Sequence, residues 1–466
     1  MRDAGFVSRD DIRADFSAAM SAMYKVEVPA YGMLMELVAE ANAEVLAGDP
    51  ELRTSLEATD SLDRISQERH GAIRLGTPAE LSMMRRVFAV MGMYPVGYYD
   101  LSAAGVPVHA TAFRPVDART LSRNPFRVFT SLLRLDLIGD ETLRAEAQQV
   151  LAARRIFSDG AIALTEKAER QGGLDRRDAD RFVDEILETF RWHDRACVSA
   201  DMYQRLHRQH RLVADVVSFK GPHINHLTPR TLDIDAVQAR MPLRGIEPKA
   251  VVEGPPTRRC PVLLRQTSFK ALEEPVSFQS DDGAWMTGSH TARFGEIEQR
   301  GIALTPKGRA LYDRLLDEAR KIATPSADGS NAADYGAALA GRFKSFPDSW
   351  EEIRAAGLGY FTYSLTELGR TARGGRDDDV ERLLAEGLLR FDPIVYEDFL
   401  PVSAAGIFQS NLGDEATEAF AASPNQQVFE AALGASVVDE FAHYAAIERR
   451  SIENCRSALR GLQAAE

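Results

Sequence analysis

An internal echo constrains this chain more than any other feature. His70 and His226 are 156 positions apart, and so are Phe113 and Phe269. Gly92-Met93-Tyr94-Pro95 is answered by Gly245-Ile246-Glu247-Pro248. Pro107-Val108 with Thr111-Ala112-Phe113 is answered by Pro261-Val262 with Thr267-Ser268-Phe269. A pattern repeated at a fixed offset predicts two similar halves. In the first half, residues 69–75 read as a strand. Thr77-Pro78-Ala79-Glu80 opens a helix: Thr caps it, Pro suits its first turn, and Glu stands three residues after the cap. That helix runs 81–91 and stops at Gly92, and strands follow at 94–101 and 106–115. In the second half, 223–227 reads as a short strand and 233–241 as a helix ending near Gly245. Strands follow at 248–252 and 262–272, and a last strand carries Glu296. Two βαβββ-type repeats of this kind predict an α+β chain built on a pseudo-twofold β-barrel.

The segments around the repeats are helical in pattern. The organisation expected is N-terminal helices over 1–60, a first barrel repeat over 61–117 and a helical insertion over 118–213. A second barrel repeat with a metal site follows over 214–301. A mainly helical C-terminal region, 302–466, is expected to pack on the barrel. A second helix, 31–46, should end at Gly48-Asp49-Pro50.

Composition excludes some function classes. The net charge of −13 opposes binding to a phosphate backbone, which needs a basic surface. An anionic substrate would need a local cationic anchor. No run approaches the ~18 apolar residues that span a membrane, and the charged first residues lack the apolar core of a secretory signal. Cys197, Cys260 and Cys455 are odd in number and far apart, so they suggest neither a disulfide framework nor a zinc motif. They fit a reducing compartment, the cytoplasm. The oligomeric state is not legible.

The chemistry must come from separate elements, because the nine histidines include no HExxH pair. His70 and His226 stand on the first strands of the two repeats, which a pseudo-twofold barrel brings side by side. The strand after Gly295 supplies a carboxylate, Glu296. Glu298 shares its face by strand alternation and competes for the same role. Two histidines and one carboxylate leave open positions on a metal, which suits Fe(II) with O2 and a chelating substrate. His223 should point away from the face of His226. His109 and His290 are supporting or structural candidates. Arg74 shares the face of His70 about 13 Å further along the strand, at ~3.3 Å per residue. There its guanidinium can grip a distal carboxylate.

The stretches ERHGAIRLGTP (68–78), FAVMGMYPVGYYDLS (88–102), VPVHATAFRP (106–115), GPHINHLTPR (221–230), RFGEIEQRGIALTPKG (293–308) and YEDFLPVSAAGIFQSNL (396–412) carry a resemblance over nearly the whole chain. It resembles the bacterial 2-oxoadipate dioxygenase/decarboxylase family, also called 2-hydroxyglutarate synthase. The resemblance implies a vicinal-oxygen-chelate fold elaborated with helices, and an Fe(II) site. It implies His70, His226 and Glu296 as ligands, with Arg74 and Val402 as substrate contacts and Ser403 a weaker one. The two ligand histidines would also border the substrate. The implied reaction is 2-oxoadipate plus O2 giving (R)-2-hydroxyglutarate and CO2, in lysine breakdown. A glyoxalase-type lyase or isomerase on the same fold is the competing expectation.

Overall fold

In the computed structural model the described residues are 5–58, 62–67, 69–280, 283–326, 329–372, 379–400 and 425–464. The chain divides into two compact units. The first comprises Met1–Glu253, Gln266–Gln299 and Phe399–Val438. The second comprises Gly254–Arg265, Arg300–Asp398 and Asp439–Glu466. Both mix helices and strands, so the chain is α+β.

The first unit is organised by a five-stranded sheet. Its strands are β1 (Arg69–Leu75), β2 (Tyr94–Asp100), β3 (Val108–Arg114), β4 (Arg127–Leu133) and β5 (Leu227–Pro229), in the order β2-β3-β4-β1-β5. β1 runs parallel to β4 and antiparallel to β5. Burial on both faces explains the apolar strands. Ile73 and Leu75 enter a cluster with Phe16, Phe88, Phe113 and Phe190. Ala72 enters the opposite cluster with Phe129, Val213, Phe278 and Phe399. His70 and Arg74 share the parity, and so the face, of Ala72.

The repeat is visible in the pairing. The helix Pro78–Val90 begins with a complete Thr77/Glu80 capping box, as its sequence predicts. Gly92 (φ 68°) follows that helix, and Gly245 (φ 73°) follows the helical turns of the second half. Both take the left-handed conformation that glycine adopts at little cost. Pro95 pairs with Phe113 between β2 and β3, and Pro248 makes an antiparallel bridge with Phe269. β1 lies parallel to β4, and Arg230, just beyond β5, makes a parallel bridge with Glu298. Glu298 lies on β9 (Glu296–Arg300), which pairs with β6 (Leu264–Ser268). Between them stands the hairpin of β7 (Glu273–Gln279) and β8 (Trp285–Thr291).

Four expectations need correction. The segment 118–213 is not wholly helical, because β4 lies inside it and is the fourth strand of the first repeat. The strand expected at 248–252 is reduced to the isolated bridge at Pro248, whose residue has no N–H to continue a ladder. His226 precedes β5 instead of lying in a strand over 223–227. Among the described residues, the ladders are one five-stranded and three two-stranded sheets, not a closed barrel.

The second unit contains the third of those two-stranded sheets, β10 (Phe361–Leu365) with β11 (Leu389–Pro393). It packs with the helix Glu440–Ala464 around Leu383, Leu388, Leu389, Cys455 and Leu459. Among the described residues, no helix is long and apolar enough to cross a membrane.

Gly71 lets the two repeats meet. A Cβ there would lie 2.5 Å from Ile224 Cδ1 and 3.0 Å from the His226 carbonyl oxygen. Gly71→Ala should therefore destabilise the protein by about 1–3 kcal/mol, as overpacking does. It should also displace His226. Denaturant unfolding and metal titration of the variant check both effects.

Candidate metal centre

One row of residues crosses the face shared by His70 and Arg74. Arg127 of β4 pairs with His70 of β1, and His70 pairs with Thr228 of β5. β9 lies over this row and points Glu296 and Glu298 at it; both are fully buried. His226 follows Asn225, whose N–H donates to Ala72 O at 3.0 Å. The Tyr24 hydroxyl, from the helix Arg9–Glu27, lies 2.7 Å from Phe294 O and 3.0 Å from Asn225 O. It thus braces the segments that lead into Glu296 and His226.

His70, His226 and Glu296 each offer a ligand atom within 4.8 Å of the others. Glu296 Oε1 accepts hydrogen bonds from Thr228 Oγ1 (3.1 Å) and Gln266 Nε2 (3.0 Å), and lies 3.1 Å from His70 Nε2. Glu296 Oε2 and both ring nitrogens of His226 are buried without a hydrogen-bond partner among the described residues. An unsatisfied buried polar group costs roughly 1–3 kcal/mol. Glu296 Oε2 with one ring nitrogen of His226, close to a ring nitrogen of His70, fits a cation with nitrogen and oxygen ligands.

Glu298 occupies a different place from Glu296. Its Oε2 lies 3.2 Å from His70 Nδ1, and Arg127 Nη1 lies 3.9 Å from its Oε1. A carboxylate behind a ligand histidine fixes its tautomer and ring orientation. Burial alone would lower the pKa of His70, but Glu298 and Glu296 outweigh it and raise the pKa. Burial, with His70 and Arg74 nearby, holds His226 well below its ordinary value and so neutral. Burial also raises the pKa of Glu296, against the opposing pull of His70.

Arg74 lies on a cavity of about 250 Å³ whose lining includes Arg211, Asp215, Lys249, Lys270 and Phe294. The Phe294 ring lies 4.8 Å from the ring of His226, so the cavity adjoins the histidine cluster. Arg74 Nη1 is 2.6 Å from Asp215 Oδ2. His290 Nε2 lies 2.9 Å from Asp215 Oδ1, and the Tyr203 hydroxyl lies 2.8 Å from His290 Nδ1. Burial would raise the pKa of Asp215, but Arg74, His223 and His290 hold it well below the usual carboxylate range.

The remaining sequence candidates fall outside the cluster. His223 turns to Asn225 and Asp215. His290 belongs to the Asp215 network. His109 packs against Tyr98 and Phe429, with its pKa lowered to about 4 by burial and then by Arg134. Val402 and Ser403 lie outside the described residues. Thr228, Gln266, Asp215, Arg211 and Lys249 were not singled out by the sequence. Asp215 had one signal: it is a lone acid within the apolar run of the helix Arg211–Ser218.

Comparison with known proteins points one way. Residues 16–411 match the family model described as 2-oxoadipate dioxygenase/decarboxylase. A protein of that name from Pseudomonas putida is 60% identical over 97% of this chain and 98% of its own length. One from Escherichia coli is 54% identical over 97% and 99%. A crystal structure of hydroxyglutarate synthase from Pseudomonas putida in complex with 2-oxoadipate matches with a TM-score of 0.90 at 59% identity. That match covers 98% of this chain and 99% of the other.

Two variants test this geometry. Glu298→Gln should weaken metal binding by about 10–100-fold, as read by competitive metal titration. Unchanged affinity would remove its orienting role. Asp215→Asn should cost about 3–5 kcal/mol, because it strips a buried guanidinium of its partner. Asp215 is depressed in the folded state, so the wild-type advantage is full above about pH 4 and is lost as pH falls below it. Chemical unfolding of both proteins across pH 2–7 checks the sign.

Proposed function

The chain belongs to the 2-oxoadipate dioxygenase/decarboxylase family, and from that membership we propose how its residues perform the reaction. O2 is consumed, C1 of 2-oxoadipate leaves as CO2, and 2-hydroxyglutarate remains. The carbon and oxygen count closes: six carbons enter and five plus one leave, and both O2 atoms are retained in the products. This reading excludes the glyoxalase-type lyase, which needs no oxidant.

The observation that carries the reading is the buried His70–His226–Glu296 cluster, in which Glu296 Oε2 and the His226 ring nitrogens have no hydrogen-bond partner among the described residues. We assign these three side chains as the ligands of Fe(II). Bound there, Fe(II) would supply redox chemistry with O2 and vacant positions for a chelating 2-oxo acid. Thr228 and Gln266 hold one oxygen of Glu296 and leave the other for the metal. Glu298 sets the tautomer of His70. With both imidazoles neutral as ligands and one coordinating carboxylate, a divalent ion there would leave a net charge of about +1, which favours an anionic substrate. Arg74, fixed by Asp215, directs the far carboxylate of the substrate. Val402 remains assigned as a substrate contact through the family alone.

The same reading extends to fold and setting. The parallel pairs β1–β4 and Arg230–Glu298, joined by the antiparallel β1–β5 seam, support a vicinal-oxygen-chelate-like pseudo-twofold arrangement. Three free, scattered cysteines support a cytoplasmic protein, and lysine breakdown is the pathway we assign.

Protein purified without oxygen, loaded with Fe(II), and given 2-oxoadipate and O2 should release CO2 and form 2-hydroxyglutarate in equal amounts. Metal-loaded protein that releases no CO2, or does so without O2, would overturn the assignment. Metal analysis of His226→Ala should show loss of the bound ion.

A further inference from the structure

Arg74 takes its direction from Asp215, and Asp215 is itself held. The carboxylate divides its two oxygens: Oδ2 meets Arg74 Nη1 at 2.6 Å, and Oδ1 meets His290 Nε2 at 2.9 Å. All three side chains are buried. Arg74, His223 and His290 hold Asp215 ionised against its burial, and an ionised carboxylate only accepts. His290 Nε2 therefore carries a proton and donates to Oδ1. His223 Nε2 stands farther from that oxygen, at 3.5 Å, and has Asn225 Nδ2 at 3.0 Å. On the other side of the imidazole, His290 Nδ1 lies 2.8 Å from the Tyr203 hydroxyl. Burial and then Asp215 push the pKa of Tyr203 up to about 12, so the hydroxyl keeps its proton. With the imidazole neutral, that hydroxyl donates to Nδ1. A chain thus runs from Tyr203 through His290 and Asp215 to Arg74.

The fold places His290 in an unusual way. It is the single buried residue of the seven in β8, a strand that otherwise faces solvent. Its imidazole lies parallel to the Trp192 ring at 6.1 Å and 4.8 Å from the Phe219 ring, so packing fixes its plane. The next residue, Thr291, lines the cavity that Arg74 and Asp215 also line. One strand end therefore supplies both a piece of cavity wall and the imidazole behind Asp215. A buried ionic network stabilises a fold no better than apolar packing does, so its place on a cavity points to a use. Without the Nε2–H, Asp215 could turn both oxygens onto the guanidinium, the two-pronged geometry that this pair of groups favours. The guanidinium would turn with it.

We infer that His290, braced by Tyr203, is a positioning residue for 2-oxo dicarboxylates. Its Nε2–H holds one oxygen of Asp215 and so sets the angle at which Arg74 meets the second carboxylate. The imidazole acts through Asp215 and touches neither substrate nor metal. The inference rests on the function proposed above for the role of Arg74.

The test reads a preference, which a merely structural role would not move. The Fe(II)-loaded full chain and its variants are titrated anaerobically with 2-oxoadipate and with 2-oxohexanoate, its counterpart lacking the second carboxylate. Calorimetry gives the two dissociation constants. His290→Phe keeps a ring against Trp192 and Phe219 but removes both nitrogens. It should weaken 2-oxoadipate about 10-fold, the effect of losing one hydrogen bond to a charged group, and leave 2-oxohexanoate little changed. His290→Gln restores a donor toward Asp215 and should regain most of the preference. Tyr203→Phe should weaken 2-oxoadipate about 3-fold, as for a neutral hydrogen bond; it decides the matter if His290→Phe does not fold. Equal losses for both acids, an unchanged preference, or no rescue by Gln would overturn the inference. Arg74→Met separates the two readings. If it abolishes the preference and the His290 and Tyr203 variants do not, the inference alone falls. If Arg74→Met itself leaves the preference intact, the role of Arg74 falls and the inference with it.

Discussion

Two buried carboxylates over one histidine set the terms for the rest of the first unit. Glu296 and Glu298 are both fully buried on one face of β9. Like charges so close, away from water, are costly unless each is paired. The row Arg127–His70–Thr228 across the sheet answers this cost. Thr228, Gln266 and His70 attend one oxygen of Glu296, while His70 and Arg127 attend Glu298. One oxygen of Glu296 and the ring of His226 remain unmet among the described residues. A divalent cation would satisfy both, and its binding would then be coupled to the folding of this region. The bracing by Tyr24 and the close approach at Gly71 serve it, since each fixes where a ligand segment may lie.

Much of this was legible because strand parity is a strict rule. Parity put His70 and Arg74 on one face and Glu296 with Glu298 on another. The offset of 156 residues linked the two halves, and the Pro95–Phe113 and Pro248–Phe269 pairings show the same register in both. Parity could not choose between the two glutamates. The choice lies in what stands opposite, Thr228 and Gln266 for one and Arg127 for the other, and those neighbours are 30 to 171 positions away.

The failures have equally local causes. β4, Arg127-Val-Phe-Thr-Ser-Leu-Leu, is buried on both faces. It therefore lacks the alternation that marks a half-exposed strand, and it sits among helical segments rich in Arg, Asp and Glu. At 248–252 the pattern suggested a strand, but Pro248 cannot extend a ladder and only single bridges form. Arg74 was placed correctly on its face, but its pairing with Asp215, 141 positions away, changed its meaning. An arginine expected to carry net charge to a ligand is instead one half of a neutral pair.

That change bears on how a site in a chain of net charge −13 can prefer an anion at all. The answer is division of labour. Beside the cavity, the histidine-rich cluster would leave a divalent metal with a small positive charge, suited to the 2-oxo and first carboxylate oxygens. On the cavity lining stands a guanidinium whose direction is set by Asp215, with further cations around it. β1 carries both His70 and Arg74, four residues apart on one rigid strand. Their separation, about 13 Å between backbone positions at ~3.3 Å per residue, cannot change without breaking the sheet. On the proposed assignment of Arg74 to the far carboxylate, a rigid strand would measure substrate length, with Asp215 setting the direction of the guanidinium.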